Sequence, residues 1–117
     1  MESSNVHTPD HEPLRQPTFY ILLSLAGGEK HGYAILKSIE SMSSGSLRLS
    51  TGTLYEALAR LMEQGWIERM DEEESSGRVR KAYRLTPLGW KKMRAETERM
   101  KSLVKVAQLH LIEEPNL

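Results

Sequence analysis

The residues of this chain that invite chemistry are hydroxyls and cations gathered at two places, and they suit the binding of a phosphate backbone. Ser50, Thr51 and Thr53 are small donors around Gly52, which lets a backbone come close, and Tyr55 follows a turn later. At the start of a helix such hydroxyls and the first-turn amides bind phosphate, while neighbouring side chains reach base edges. Tyr55 suits a thymine methyl or a phosphate, and Glu56 suits the N4 donor of cytosine. The blander account is that the hydroxyls cap the helix and that Glu56 is a solvated charge. Further on, Gly77-Arg78-Val79-Arg80-Lys81 forms a basic tip. Arg78, Arg80 and Lys81 would pair phosphates or enter a minor groove, fixing position rather than reading sequence. His31 lies at a helix start, where capping or a phosphate contact is the simplest role, and neither it nor His110 has a carboxylate or nucleophile beside it in sequence. Glycine-rich phosphate loops, nucleophile elbows and zinc-ligand spacings are absent from the sequence, so nothing in it points to an enzyme.

The elements that must position these groups are legible from periodicity. Leu54, Ala57, Leu58, Leu61 and Met62 recur at helical spacing, so one face of that helix is buried and the other is free to touch something. Ser50 or Thr53 serves as its N-cap, and Gly65 takes the left-handed position that ends it. Trp66 to Met70 and Ala82 to Leu85 then read as two strands of a hairpin around a polar tip. Asp71-Glu72-Glu73-Glu74 would be repelled by a phosphate backbone, so this run is expected to point away from a duplex or stay mobile. Upstream, Pro17 opens a nearly apolar helix through Ala26 that Gly27-Gly28 stops, and a second helix runs from about His31 to Met42 with Ile35, Leu36, Ile39 and Met42 on one face. The alternation in Leu47-Arg48-Leu49 suits a short third strand for the hairpin.

Composition bounds the rest. The 117 residues allow one core, the formal net charge is zero and there is no cysteine, which excludes disulfides, thiolate chemistry and zinc ribbons. No apolar run spans a bilayer and no signal-peptide pattern opens the chain, so a cytoplasmic protein with no membrane partner is expected. The zero net charge conceals an asymmetry: between Gly77 and Lys105 the sequence has ten Lys or Arg against Glu96 and Glu98 alone. A duplex senses that local field, within roughly a Debye length of about 10 Å. Residues 1–16 are polar and read as a flexible arm. His7 and His11 have a chelating spacing, but Pro9 between them argues against the helix it would need.

From Pro87 the pattern becomes one long helix. Trp90, Met93, Thr97, Met100, Val104, Ala107 and Leu111 alternate by threes and fours, a heptad seam that calls for a partner helix. The alternative is a helix folded back on its own domain. Leu103 and Val106 widen the stripe, as in a helix that packs both on a partner and on the first helix. Trp90, Met93 and Met100, with Phe19 or Leu22 from the first helix, are candidates to line a pocket for a small hydrophobic or aromatic effector, since thioethers adapt to varied shapes. Ordinary dimer core would use the same residues.

His31-Gly32-Tyr33-Ala34-Ile35-Leu36, Ser50 to Leu58, Gly65-Trp66-Ile67 and Gly77 to Thr86 together resemble the PadR family of bacterial transcriptional regulators, in order and spacing over roughly Thr18 to Gly89. The single helix after the hairpin resembles the compact branch, whose members dimerise through that helix. The fold this implies is mainly α with a small β-hairpin wing: a winged helix-turn-helix over residues 17–87, a dimerisation helix over 88–112 and a tail over 113–117. The function it implies is a homodimeric repressor, without a cofactor, that binds pseudo-palindromic double-stranded operator DNA and releases it on binding a small molecule. On the matching positions, DNA contact falls to His31, Tyr33, Ser50, Thr51, Gly52, Thr53, Tyr55, Gly77, Arg78, Arg80 and Lys81. The chain departs from the family at Val79, often Pro, at Ala82, often aromatic, and at Met100, where drug-sensing members have Trp. The competing reading is a winged-helix protein-interaction module that does not bind DNA, favoured by the near-neutral total and by Glu56 on the exposed face.

Overall fold

The computed structural model describes residues 13–112; residues 1–12, with His7 and His11, and the tail 113–117 lie outside the described residues. The element order is α1 (Gln16–Ala26), β1 (Lys30–His31), α2 (Gly32–Met42), α3 (Thr51–Glu63), β2 (Ile67–Glu73), β3 (Val79–Leu85) and α4 (Pro87–Leu111). The strands form one antiparallel sheet in the order β1-β3-β2. Helices α1, α2 and α3 close on one core of Ile21, Leu22, Leu25, Ile35, Ile39, Leu54, Leu58 and Leu61, to which the sheet adds Ile67, Tyr83 and Leu85. The side chains are those whose 3.6-residue and two-residue periods put them on one face of each element.

Local signals set the boundaries. Ser50 Oγ accepts from the Thr53 amide at 3.1 Å and donates to Thr53 Oγ1 at 2.9 Å, so the cap of α3 is built as its sequence implies. Gly65 has φ +78°, the left-handed conformation that lets the chain leave α3 and enter β2 without the cost a side chain would add. Thr86 caps α4 in the same manner, its hydroxyl accepting from the Gly89 amide at 3.1 Å. Gly89 has a separate reason: a Cβ there would collide with the Trp66 carbonyl oxygen, which already accepts from the Thr86 amide at 3.0 Å.

Two expectations are corrected. The third strand is Lys30–His31, paired with Tyr83 and Ala82, whereas residues 47–49 form no strand. The polar backbone of Leu47 is spent locally: its N–H donates to Ser43 Oγ at 3.0 Å and its carbonyl accepts from the same hydroxyl at 3.3 Å. Leu47 and Leu49 pack against the core instead. The end of the supposed arm is also tied down, because the Leu14 N–H donates to Glu96 Oε2 of α4 at 3.1 Å and the Leu14 side chain packs on the core.

Helix α4 divides in two. Its first half faces the domain, with Gly89, Lys92, Met93 and Glu96 buried. From Lys101 to Ile112 every residue is exposed.

Candidate nucleic-acid interface

Helices α2 and α3 are joined by residues 43–50, whose sharp course uses a left-handed Ser44 (φ 53°) and Gly45 (φ 79°). This helix-turn-helix leaves Ser50, Thr51, Gly52 and Thr53 exposed at the start of α3, and no charged side chain lies among them. Because Ser50 is committed to the cap, its hydroxyl hydrogen is already donated to Thr53; Thr51 and Thr53 keep a donor for a phosphate.

A shallow groove joins the start of α2, the outward face of α3 and the wing. It is lined by His31, Gly32, Tyr33 and Tyr55 on one side and by Val79, Arg80 and Lys81 on the other, with an accessible volume of about 370 Å³. Tyr55 is the hinge of this groove. Its ring meets Tyr83 edge-on at 6.5 Å and 61°, and its hydroxyl lies where a Cβ on Gly32 would be. Gly32 is therefore the residue that admits Tyr55, a role the sequence signals only as a glycine placed inside a helical pattern. Burial raises the Tyr83 phenol above its ordinary range, with Tyr55 adding to the shift, so Tyr83 stays neutral. Tyr33 projects into solvent at 71% exposure, with the Lys37 ammonium 5.8 Å from its ring centre. Helix α2 has no side-chain cap, and after the buried Gly32 its exposed first-turn residue is Tyr33.

The wing differs from its sequence-based picture. The acidic run is part of the sheet: Asp71, Glu72 and Glu73 are strand residues directly opposite Lys81, Arg80 and Val79. The Arg80 guanidinium pairs with Glu74 at 3.3 Å, Arg84 with Glu68 at 2.8 Å and Arg69 with Asp71 at 3.1 Å. Opposite charges across a ladder stabilise it modestly, and here they also cancel much of the wing's field. Arg78 and Lys81 form no side-chain ion pair among the described residues. The tip itself is a tight turn, with the Gly77 amide donating to the Glu74 carbonyl and the Glu74 amide to the Arg78 carbonyl, both at 2.8 Å; Gly77 has φ +86°.

His31 is corrected as well. It does not cap α2 with its side chain, and tertiary folding gives it the carboxylate that its sequence neighbourhood lacks: Nε2 lies 3.1 Å from Glu72 Oε1, while Nδ1 is 3.2 Å from the Lys81 carbonyl. Glu29 joins this cluster. The neighbouring Glu72 carboxylate raises the Glu29 carboxyl above the usual range, with desolvation contributing less. No sequence signal links Glu72 to the adjacent Glu29 and His31; the β1-β3-β2 order does so.

The second group of sequence candidates is split by the fold. Leu22 and Met93 are buried in the core of the single chain and are closed to any effector. Phe19, Thr97, Met100 and Val104 line an open groove between α1 and α4 together with Leu23, with an accessible volume of about 790 Å³. Trp90 lies outside that groove, at 38% exposure with the Arg94 guanidinium 5.7 Å from its ring centre. Ala107 and Leu111 are exposed and do not line it. Among the described residues no group of His, Asp and Glu is arranged to hold a metal ion, and no helix is long and apolar enough to cross a membrane.

Comparison with known proteins agrees with this geometry. Residues 21–95 match the model of the transcriptional regulator PadR-like family. A transcriptional regulator from Clostridium thermocellum is 33% identical with a TM-score of 0.67, the alignment covering 78% of this chain and 88% of that one. A PadR family transcription regulator from Clostridium difficile is 28% identical with a TM-score of 0.67, covering 80% and 96%. The Bacillus subtilis PadR solved in complex with operator DNA is 23% identical with a TM-score of 0.63, covering 69% and 46%, a likeness of fold. The first two curated relatives that match are uncharacterized, and the chain spans 22% and 63% of their lengths.

Proposed function

The chain belongs to the PadR-like family of transcriptional regulators, and on that premise we propose that it is a homodimeric repressor that reads a pseudo-palindromic operator and is released by a small apolar or aromatic effector. The observation that carries the DNA-reading part is the groove from His31 and Tyr33 past Tyr55 to Lys81, which makes one continuous surface of the helix-turn-helix and the wing. On it the hydroxyls of Thr51 and Thr53 and the unpaired cations Arg78 and Lys81 are donors for phosphate, leaving Gly52, Tyr55 and Glu56 nearest to base edges. Dimerisation is supported by the exposed second half of α4, where Leu103, Val104, Val106 and Leu111 are each more than half exposed in the single chain. Apolar stripes of that extent mark association surfaces. A two-fold pairing through α4 would set the two α3 helices about 34 Å apart, one turn of a duplex. The α1/α4 groove with Phe19, Met100 and Val104 is the effector site of this reading.

Titrating DNA from the protein's own locus at several salt concentrations tests the proposal. Replacing Arg78, Arg80 and Lys81 by Ala should weaken every fragment alike and flatten the salt dependence by about one unit of slope for each phosphate no longer neutralised. Arg80 should contribute least, because it must first leave Glu74. Full affinity of the triple variant at moderate salt would overturn the wing's role, and failure of every fragment to shift at low salt would favour a protein-interaction module.

A further inference from the structure

His31 stands where three elements meet. It ends β1, it is the residue before α2, and its ring reaches both strands of the wing: Nδ1 lies 3.2 Å from the Lys81 carbonyl oxygen of β3 and Nε2 lies 3.1 Å from Glu72 Oε1 of β2. The backbone pairing of β1 with β3 stops at His31 and Ala82, so the next carbonyl of the wing, that of Lys81, is taken up by the ring. His31, Ala82 and Met70 are paired across the sheet and share a face, and Glu72 follows Met70 by two on that face. On the central strand the side chain opposite His31 is only the methyl of Ala82, which gives the ring room to cross to Glu72.

The two acceptors decide which form of the ring suits this geometry. A carbonyl oxygen and a carboxylate only accept, whereas a neutral imidazole has a single N–H. The neutral ring can therefore donate to one wing strand and not to the other; the imidazolium donates to both. Other charged groups surround the cluster. Glu29 lies beside Glu72 and interacts with His31 and Arg84 as well. Arg84 is held by Glu68, and Arg80, opposite Glu72 in the ladder, is held by Glu74. The Lys30 ammonium donates to the Ser24 carbonyl of α1, and α2 and α3 bring the Tyr33 and Tyr55 phenols to the same groove as His31 and Lys81.

We infer that His31 and Glu72 form a proton-dependent brace that holds the wing against the start of α2 and so positions Lys81 for DNA, with operator affinity rising as the His31 ring becomes charged. The inference rests on the operator-reading proposal above. Histidine is the side chain whose charge ordinarily changes between about pH 5 and 8, so the brace would respond within the physiological range. Two consequences of losing the proton have the same sign. One of the two ties to the wing opens, and the Glu72 carboxylate is left uncompensated beside a surface that is to receive phosphates.

The test compares the full chain at about pH 6 and about pH 8, at constant ionic strength, by titration of a DNA fragment from its own locus. The wild type should bind about fivefold more tightly per subunit at the lower pH, the scale of one partly exposed charged pair. Glu72→Gln keeps the shape of the side chain and can accept from the ring or donate to it, so the brace survives without the proton and the affinity should be the same at both pH values. His31→Gln should lose the dependence likewise, while His110→Gln, in the last turn of α4, keeps it. His7 and His11 are unaltered in Glu72→Gln, so a contribution from them would persist there. A second measurement needs no DNA: in the free protein the amides of Ala82 on β3 and Glu72 on β2 should move with the His31 ring signals over that range and stay fixed in His31→Gln. The inference is overturned by equal wild-type affinity at both pH values, by a pH dependence that persists in Glu72→Gln, or by wing amides that ignore the ring. Failure of every fragment to shift at either pH would sink the operator reading, and the amide signals would then decide the brace.

Discussion

The two halves of α4 obey different rules although they are one uninterrupted helix. In the first half an apolar and charged mixture is buried: Met93 is 5% exposed, and Lys92 and Glu96 are each 4% exposed. The two charges are accommodated because each has local compensation. The Lys92 ammonium sits 5.3 Å from the centre of the Trp66 ring, and Glu96 accepts from the Arg99 guanidinium and from the Leu14 amide. In the second half aliphatic side chains stand in solvent without compensation. Burial in α4 thus does not track hydrophobicity residue by residue; it tracks what lies opposite. The first half has the domain packed onto it, whereas no described residue buries the second half, which meets α1 only across an open groove.

Substitutions that treat the halves alike in chemistry should separate them in outcome. The largest effect is expected for Met93→Ala, which removes core side-chain volume and should cost about 2–5 kcal/mol; denaturant unfolding should show the same loss at every protein concentration. Next comes Val104→Asp. It leaves the core of the single chain untouched, yet it places a carboxylate in the proposed pairing surface and should raise the dimer dissociation constant by about 100-fold, on the order of 3 kcal/mol. Sedimentation would follow it, and a dimer of unchanged affinity would break the contrast between the halves. The smallest effect is expected for Glu96→Gln, about 1–3 kcal/mol for weakening a buried, hydrogen-bonded charge. Arg99 holds the Glu96 carboxyl below its ordinary value of 4.5, so its contribution is complete above that pH and is lost as the pH falls through the lower folded value. The wild type should therefore lose stability below about pH 4.5 more steeply than Glu96→Gln, which lacks the titrating group.

The groove shows a similar divide in what could be read beforehand. The hydroxyl cluster at Ser50, Thr51 and Thr53 and the basic run at Arg78, Arg80 and Lys81 are contiguous in sequence, so their chemistry was legible there. The partners that modify them were not. Glu74 on Arg80 and Glu72 on His31 depend on strand register, and a two-residue strand at Lys30–His31 is too short to leave a periodic signal. For the same reason the Leu47-Arg48-Leu49 alternation misled: a period of two reports which side chains face inward and cannot tell whether the backbone is already bonded elsewhere, as it is to Ser43.

By itself the sequence determined the helices, the Ser50 cap and Gly65 turn that bound α3, and the hairpin, because those features depend on neighbours within a few residues and on the arithmetic of apolar spacing. The tertiary structure decided which cations keep a free charge, which methionine is core and which is groove, and where α4 stops belonging to its own domain. Those outcomes turn on distances between groups far apart in the chain, and electrostatic and packing energies are fixed only once such distances are.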